Sequence, residues 1–189
     1  MMRYLAQILL LILFPLAMRA IGPAPQAKPT TKDGAKIETN YDGVKNKTTV
    51  TLTPMLVLGQ EREGIFLGAE FSFTGKKPEG AEAPGQFLEP PIYVTLTSVS
   101  SQPKYARQHE ITFVYDDQRR SVANPEFESQ SKDGLIVETV RAPFIRDYLY
   151  QVLDAKKVAV RFGATEIELT RAQLEALRRL ARRLAQMAQ

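Results

Sequence analysis

Apolar and polar residues alternate over most of this chain, with the period of two that sends successive side chains to opposite faces of a strand. The alternation is cleanest from Ile65 to Phe73. Ile65, Leu67, Ala69, Phe71 and Phe73 form an apolar set there, and Phe66, Gly68, Glu70 and Ser72 a mostly polar one. Such a segment is expected to be an antiparallel strand with one face on a core and the other toward water. Ile92, Val94 and Leu96 against Tyr93, Thr95 and Thr97 predict another strand, as do Ile111, Phe113 and Tyr115 against Thr112, Val114 and Asp116. Upstream, Val50, Leu52 and Leu56 oppose Thr49, Thr51 and Thr53. Pro54 marks a bulge or an edge there, because it brings no N–H to a ladder.

Turn chemistry organises the second half. Asp116 to Arg119 reads as a polar turn into a strand over 120–123, and Lys132-Asp133-Gly134 as a hairpin turn into a strand at 135–140. Between them, residues 124–131 carry Phe127 as their only large apolar side chain and fit strand or loop. Pro143 suits the first turn of a helix, and Ile145, Tyr148, Leu149, Val152 and Leu153 recur at helical spacing as far as Ala155. Val158 to Phe162 and Thr165 to Leu169 then form a hairpin about Gly163-Ala164, with glycine where a type II′ turn requires it. Pairing Phe162 with Thr165 sets Arg161 opposite Glu166, Val160 opposite Ile167 and Val158 opposite Leu169. Unlike charges then meet on one face and apolar groups on the other.

A final helix over 170–188 carries a complete start signal: Thr170 and Gln173 make a capping box, and Leu169 and Leu174 a hydrophobic staple. Leu174, Leu177, Leu180, Ala181, Leu184 and Ala188 share one side, while Arg171, Arg178, Arg179, Arg182 and Arg183 take the other. The expected fold class is therefore mainly β within α+β: an antiparallel β-sandwich-like domain with a short amphipathic helix and a C-terminal helix packed on the sheet.

The first residues follow a different rule. Arg3 supplies a positive start and Leu5 to Ala17 an apolar run interrupted by Gln7, which has the length of a signal-peptide core and is stopped by Arg19 before it could span a bilayer. Residues 1–22 are expected to be a leader: a cut after Ala20 would put Met18 where a small residue is wanted, and one after the small-x-small triplet Ala20-Ile21-Gly22 would leave Pro23 first, so the mature chain is expected to begin between Ile21 and Lys28. Residues 23–34 hold Pro, Ala, Thr and Lys with no apolar period and read as a flexible tether. Residues 35–189 then form one β-rich domain. The expected destination is the periplasm or the extracellular space, with no integral membrane segment after processing.

Composition narrows the chemistry. With no cysteine, an exported fold must be held by packing alone, and thiol nucleophiles, thiolate metal sites and a lipoprotein anchor are excluded. Of the 25 basic residues, Arg3 and Arg19 leave with the leader, so 23 face 21 acidic ones and the mature charge is near +2. Its distribution is uneven: the five helix arginines against Glu175 give the last segment +4, and 18 basic against 20 acidic residues give 28–169 a charge of −2.

No catalytic motif is legible. His109, the only histidine, reads as a solvated residue leading into the strand at Glu110, and Asp116-Asp117 as a turn without the spaced ligands of a calcium loop. No catalytic residue, metal ligand or cofactor is assigned. Two surface features remain as candidate binding residues. Phe87 and Leu88 sit in a long Pro- and Gly-containing connection from Thr74 to Pro91 and offer an apolar contact point. Arg178, Arg179, Arg182 and Arg183 lie within two helical turns, and their guanidinium forks suit phosphate or carboxylate groups. All four are expected to be solvated, so replacing them with Gln should leave folding nearly unchanged.

These features favour an exported, non-catalytic binding or structural protein of a bacterial-type envelope or the extracellular space. Its partner would be a protein, an envelope polymer or an anionic surface. Nucleic acid is disfavoured, since no aromatics interleave with the basic residues. The alternatives are a hydrolase using two facing carboxylates, an adaptor docking anionic surfaces through the arginine helix, and a carbohydrate-binding module. With no Trp, the last would use Tyr93, Tyr105 or Tyr115 as its platform.

Overall fold

The alternating segments become ten strands among the described residues, which are 35–76, 91–123 and 125–187 of this computed structural model. One sheet contains β1 (Ile37–Asp42), β2 (Lys47–Gly59), β3 (Gly64–Thr74), β4 (Ile92–Ser100), β7 (Glu126–Lys132) and β8 (Leu135–Phe144), in the order β1-β2-β3-β4-β8-β7. The second contains β5 (Ile111–Tyr115), β6 (Gln118–Ser121), β9 (Val158–Phe162) and β10 (Thr165–Glu168), in the order β10-β9-β5-β6. Helix α1 (Arg146–Asp154) leads from the first sheet to the second, and α2 (Arg171–Met187) follows β10. Every paired neighbour is antiparallel, giving the expected sandwich-like, mainly-β arrangement with two helices. The expected leader and tether, residues 1–34, lie outside the described residues, as do Phe87, Leu88 and Ala188.

Register explains the core. Leu52, Ala69, Val94 and Ala142 stand in one row across the large sheet, and Met55, Leu67, Leu96 and Val140 in the next, all buried. They join Ile111, Phe113, Val160 and Phe162 of the small sheet and Leu149, Leu177 and Leu180 of the helices in one contiguous cluster. Phe113 meets Phe144 edge-on at 4.8 Å between ring centroids, an arrangement that the ring quadrupoles favour. The apolar face expected for β3 is the buried one, from Ile65 to Phe73.

Several boundaries differ from expectation, each for a local reason. The β2–β3 ladder slips between Leu52 and Met55, the bulge that Pro54 foretold. The slip returns Met55 to the core in place of Leu56, which pairs with Phe66 on the outer face, and it buries Thr53, whose Oγ1 accepts the Lys36 N–H at 2.9 Å. Pro143 does not open α1; it lies in β8 opposite Tyr93. Because β7 ends its pairing at Arg141, Pro143 faces no neighbour on that side, an edge position at which proline is tolerated. The helix starts at Arg146, leaving Ile145 extended and 60% exposed instead of on the apolar stripe. Asp116 and Asp117 both take positive φ, so a two-residue turn joins Tyr115 to Gln118 and β6 begins two residues earlier than expected. Residues 126–132, open between strand and loop, form β7 at the sheet edge. There both faces are largely exposed, so an apolar alternation is not needed.

The last hairpin follows the expected pairing, and Gly163 has φ +54 with a Cβ position only 2.3 Å from the Gln108 carbonyl oxygen. In the α2 capping box, Thr170 N–H donates to Gln173 Oε1 at 2.8 Å and Gln173 N–H to Thr170 Oγ1 at 3.3 Å. Gln173 also donates its side-chain N–H to the Leu56 carbonyl at 2.8 Å, tying α2 to β2.

Candidate functional site

The outer face of the six-stranded sheet is not the polar surface that β3 suggested. Its rows run Gly68, Thr95, Arg141 and Glu126, then Phe66, Thr97, Thr139 and Glu128, then Gly64, Val99 and Val137. Phe66 is 3% exposed, a large apolar ring at a position where alternation demanded a polar one. Together with Pro54, Val99 and Val137 it floors a trough of about 300 Å³, bordered by the hydroxyls of Thr51, Thr95, Thr97 and Thr139.

Gly68 opens this trough. Its φ is not positive, and a Cβ there would meet nothing closer than the Leu52 carbonyl oxygen at 3.4 Å and Pro54 Cγ at 3.6 Å. A Cβ therefore fits at Gly68 in ordinary contact, so no clash there demands the glycine, which leaves its stretch of the trough wall without a side chain.

The two ends of the trough differ in charge. At one end the Arg141 guanidinium lies 3.5 Å over the Tyr93 ring and reaches Glu70 and Glu126, each at 3.4 Å. Its charge is thus balanced by two carboxylates. At the other end Lys132, the last residue of β7, lines the trough with an exposed ammonium.

A second concavity, of about 390 Å³, lies between β1 and α2 and is lined by Ile37, Thr39, Arg179, Arg182, Arg183 and Gln186. Here the structure divides the four arginines proposed from sequence. Arg178 points the other way: its Nε donates to the Leu153 carbonyl at 2.7 Å and its Nη2 to the Ala155 carbonyl at 3.1 Å, closing the C-terminus of α1. The expectation that all four are solvated is thus corrected for Arg178, because α1 has no basic residue in its own last turn to serve its free carbonyls. Arg179 donates to the Ala35 carbonyl at 3.2 Å, and Arg182 pairs with Glu175. That hydrogen bond holds the Glu175 carboxyl below its usual range.

The remaining candidates sort by burial. Tyr105 and Tyr115 are buried, and Tyr105 stacks on Phe162 at 3.8 Å and exchanges a hydrogen bond with Thr165 at 2.9 Å. With Tyr93 covered by Arg141, none of the three is a free platform for a sugar. His109 is half-buried, its ring stacked on Phe127 at 4.7 Å, and so is not the solvated residue expected. Glu138 is fully buried, and its two oxygens accept the backbone N–H groups of Lys104 and Tyr105 at 2.8 and 2.9 Å. It anchors the β4–β5 connection, and both oxygens are occupied by that task. Among the described residues no group of acidic and histidine side chains could hold a metal ion.

Sequence reasoning missed the trough, although it carried a signal: Phe66 and Gly68 both sit at nominally polar positions of one strand. No family model, curated protein or solved structure matches the chain. No helix among the described residues is long and apolar enough to cross a membrane.

Proposed function

We propose that this is an exported, non-catalytic binding protein that holds a small anionic amphiphile in the trough on the outer face of its six-stranded sheet. The observation that carries this reading is Gly68: a mid-strand glycine that neither backbone conformation nor a clash at Cβ requires, next to Phe66 on the same face of β3, where a side chain would project into the trough. Phe66, Val99 and Val137 supply contact for an apolar body, and the threonine hydroxyls supply polar contacts along its length. Of the two charged residues lining the trough, Glu70 is already paired with Arg141, whereas Lys132 has no ion pair among the described residues, so the ligand's charged group is an anion at the Lys132 end. The leader-like residues 1–22 and the absence of cysteine support an extracytoplasmic setting.

Titration with decanoate, followed by displacement of an anionic naphthalene-sulfonate dye, tests the proposal. Gly68→Val should fill the trough and weaken binding at least tenfold, and Gly68→Ala, whose added Cβ meets only ordinary contacts, should weaken it less while melting like the parent. Lys132→Gln should weaken decanoate but leave decanol unchanged. A parent that binds neither compound, or a Gly68→Val variant that binds as well as the parent, overturns the assignment.

A further inference from the structure

The cleft between β1 and α2 is built from two periodicities that meet. On α2, Arg179, Arg182, Arg183 and Gln186 fall at i, i+3, i+4 and i+7, one stripe of the helix, and on β1 Ile37 and Thr39 fall two apart, on one face of the strand. This stripe is separate from the one that packs, formed by Leu174, Leu177, Ala181 and Leu184. Three guanidinium groups therefore line one concavity, with Glu175, bonded to Arg182, as the carboxylate that offsets them. The balance at the cleft is near +2.

Concentrating like charges on one helical stripe works against the helix unless something compensates them. Two of the three side chains are held in place. Arg179 is tethered by the Ala35 carbonyl at 3.2 Å, and Arg182 by Glu175. Both contacts use a single Nη2, leaving the other N–H groups of each fork to donate elsewhere. Arg183 is exposed on the same stripe. Thr39 and Gln186 add a hydroxyl and an amide.

We infer that this cleft is a binding site for a phosphate ester, with the dianionic phosphate shared among Arg179, Arg182 and Arg183 and the organic part resting on Ile37. The charge near +2 matches a dianion, and a phosphate monoester presents three oxygens in three directions to several forks, where a carboxylate presents two in one plane and a single charge. The volume of about 390 Å³ and the apolar wall of Ile37 leave room for more than the phosphate itself. The ester reaches the site either as a soluble metabolite-sized molecule or as a lipid headgroup. The inference does not depend on the trough, which lies on the outer face of the sheet and is lined by other residues.

Two probes separate the sources. Calorimetry with glycerol 3-phosphate, and flotation with vesicles containing phosphatidic acid, whose headgroup is a phosphate monoester, against phosphatidylcholine vesicles, are run on the full chain without its leader at low and physiological salt. Binding of glycerol 3-phosphate alone identifies a soluble ester; binding of the anionic vesicles, competed by glycerol 3-phosphate, identifies a headgroup. Arg182→Gln/Arg183→Gln should reduce either at least tenfold. Arg107→Gln/Arg171→Gln, which removes the same net charge from exposed positions outside the cleft, should change it less than twofold. Both doubles should melt within a few degrees of the parent. Equal losses from the two doubles would reduce the effect to general charge and overturn the site, as would the absence of binding to both probes.

Discussion

Replacing Arg178 with Gln should destabilise the fold, although Arg178 belongs to a run of arginines that sequence alone assigns to solvent. The guanidinium spans from α2 to the end of α1 and donates to the Leu153 and Ala155 carbonyls at 2.7 and 3.1 Å. Those carbonyls lie where α1 has exhausted its own N–H donors, and α1 carries no cation in its last turn, so a charge from another helix meets the negative end of its dipole. Hydrogen bonds from a charged donor contribute about 1.5–3 kcal/mol each. Arg178 is half-buried, so water recovers part of that when the side chain is shortened, and the net loss should be about 2 kcal/mol. For a chain of this size that corresponds to a fall in Tm of about 4–8 °C. Urea unfolding followed by circular dichroism, with Arg183→Gln as the matched control, measures it. The control should stay within about 0.5 kcal/mol of the parent, as exposed substitutions do. A loss below about 0.5 kcal/mol for Arg178→Gln, or an equal loss for both variants, would refute the capping role.

Three further outcomes follow from the same geometry. Phe71→Ala should cost about 3–5 kcal/mol in urea unfolding through lost burial and a cavity, whereas Ser72→Ala, which loses only a half-buried bond to Thr49 at 3.1 Å, should cost about 1 kcal/mol or less; comparable losses would reverse the assigned face of β3. Glu138→Gln replaces an acceptor of two N–H groups by one oxygen and one amide, leaving a buried donor facing a donor. A loss of about 1–3 kcal/mol and faster hydrogen exchange at the Lys104 and Tyr105 amides should result, and unchanged exchange would count against the anchor. The Glu175 carboxyl is held low by Arg182, so its contribution is complete above the unfolded-state pKa and disappears as pH falls through the lowered folded value. Carbon-detected titration should place Glu175 below the ordinary glutamate range in the parent and return it to that range in Arg182→Gln; a midpoint that does not move would break the link between the two side chains.

The strands of the core were legible from sequence because their information is local. Alternation fixes which side chains of β3, β4 and β5 face inward, turn residues fix the hairpins at Asp133-Gly134 and Gly163-Ala164, and Thr170 and Gln173 fix the start of α2. Each of these depends on residues a few positions apart. Edge strands were less legible. β1 and β7 bury little, so their side chains carry no apolar alternation, and they owe their pairing to β2 and β8. The same holds for Pro143, whose place in a strand depends on where β7 stops pairing.

Tertiary structure decided the chemistry of the surface, because it brings together residues far apart in the chain. From spacing alone the arginines of α2 are one solvated patch. The position of α1 makes Arg178 a cap, and the position of β1 turns Arg179, Arg182 and Arg183 into the wall of a cleft. Phe66 and Gly68 read as exceptions within one strand until β2, β4 and β8 are laid beside β3, when the ring becomes a floor and the missing side chain a space next to it. A periodic pattern determines which face of an element a residue occupies, whereas the use of that face depends on which neighbour covers it, and that is set by long-range pairing that local pattern does not encode.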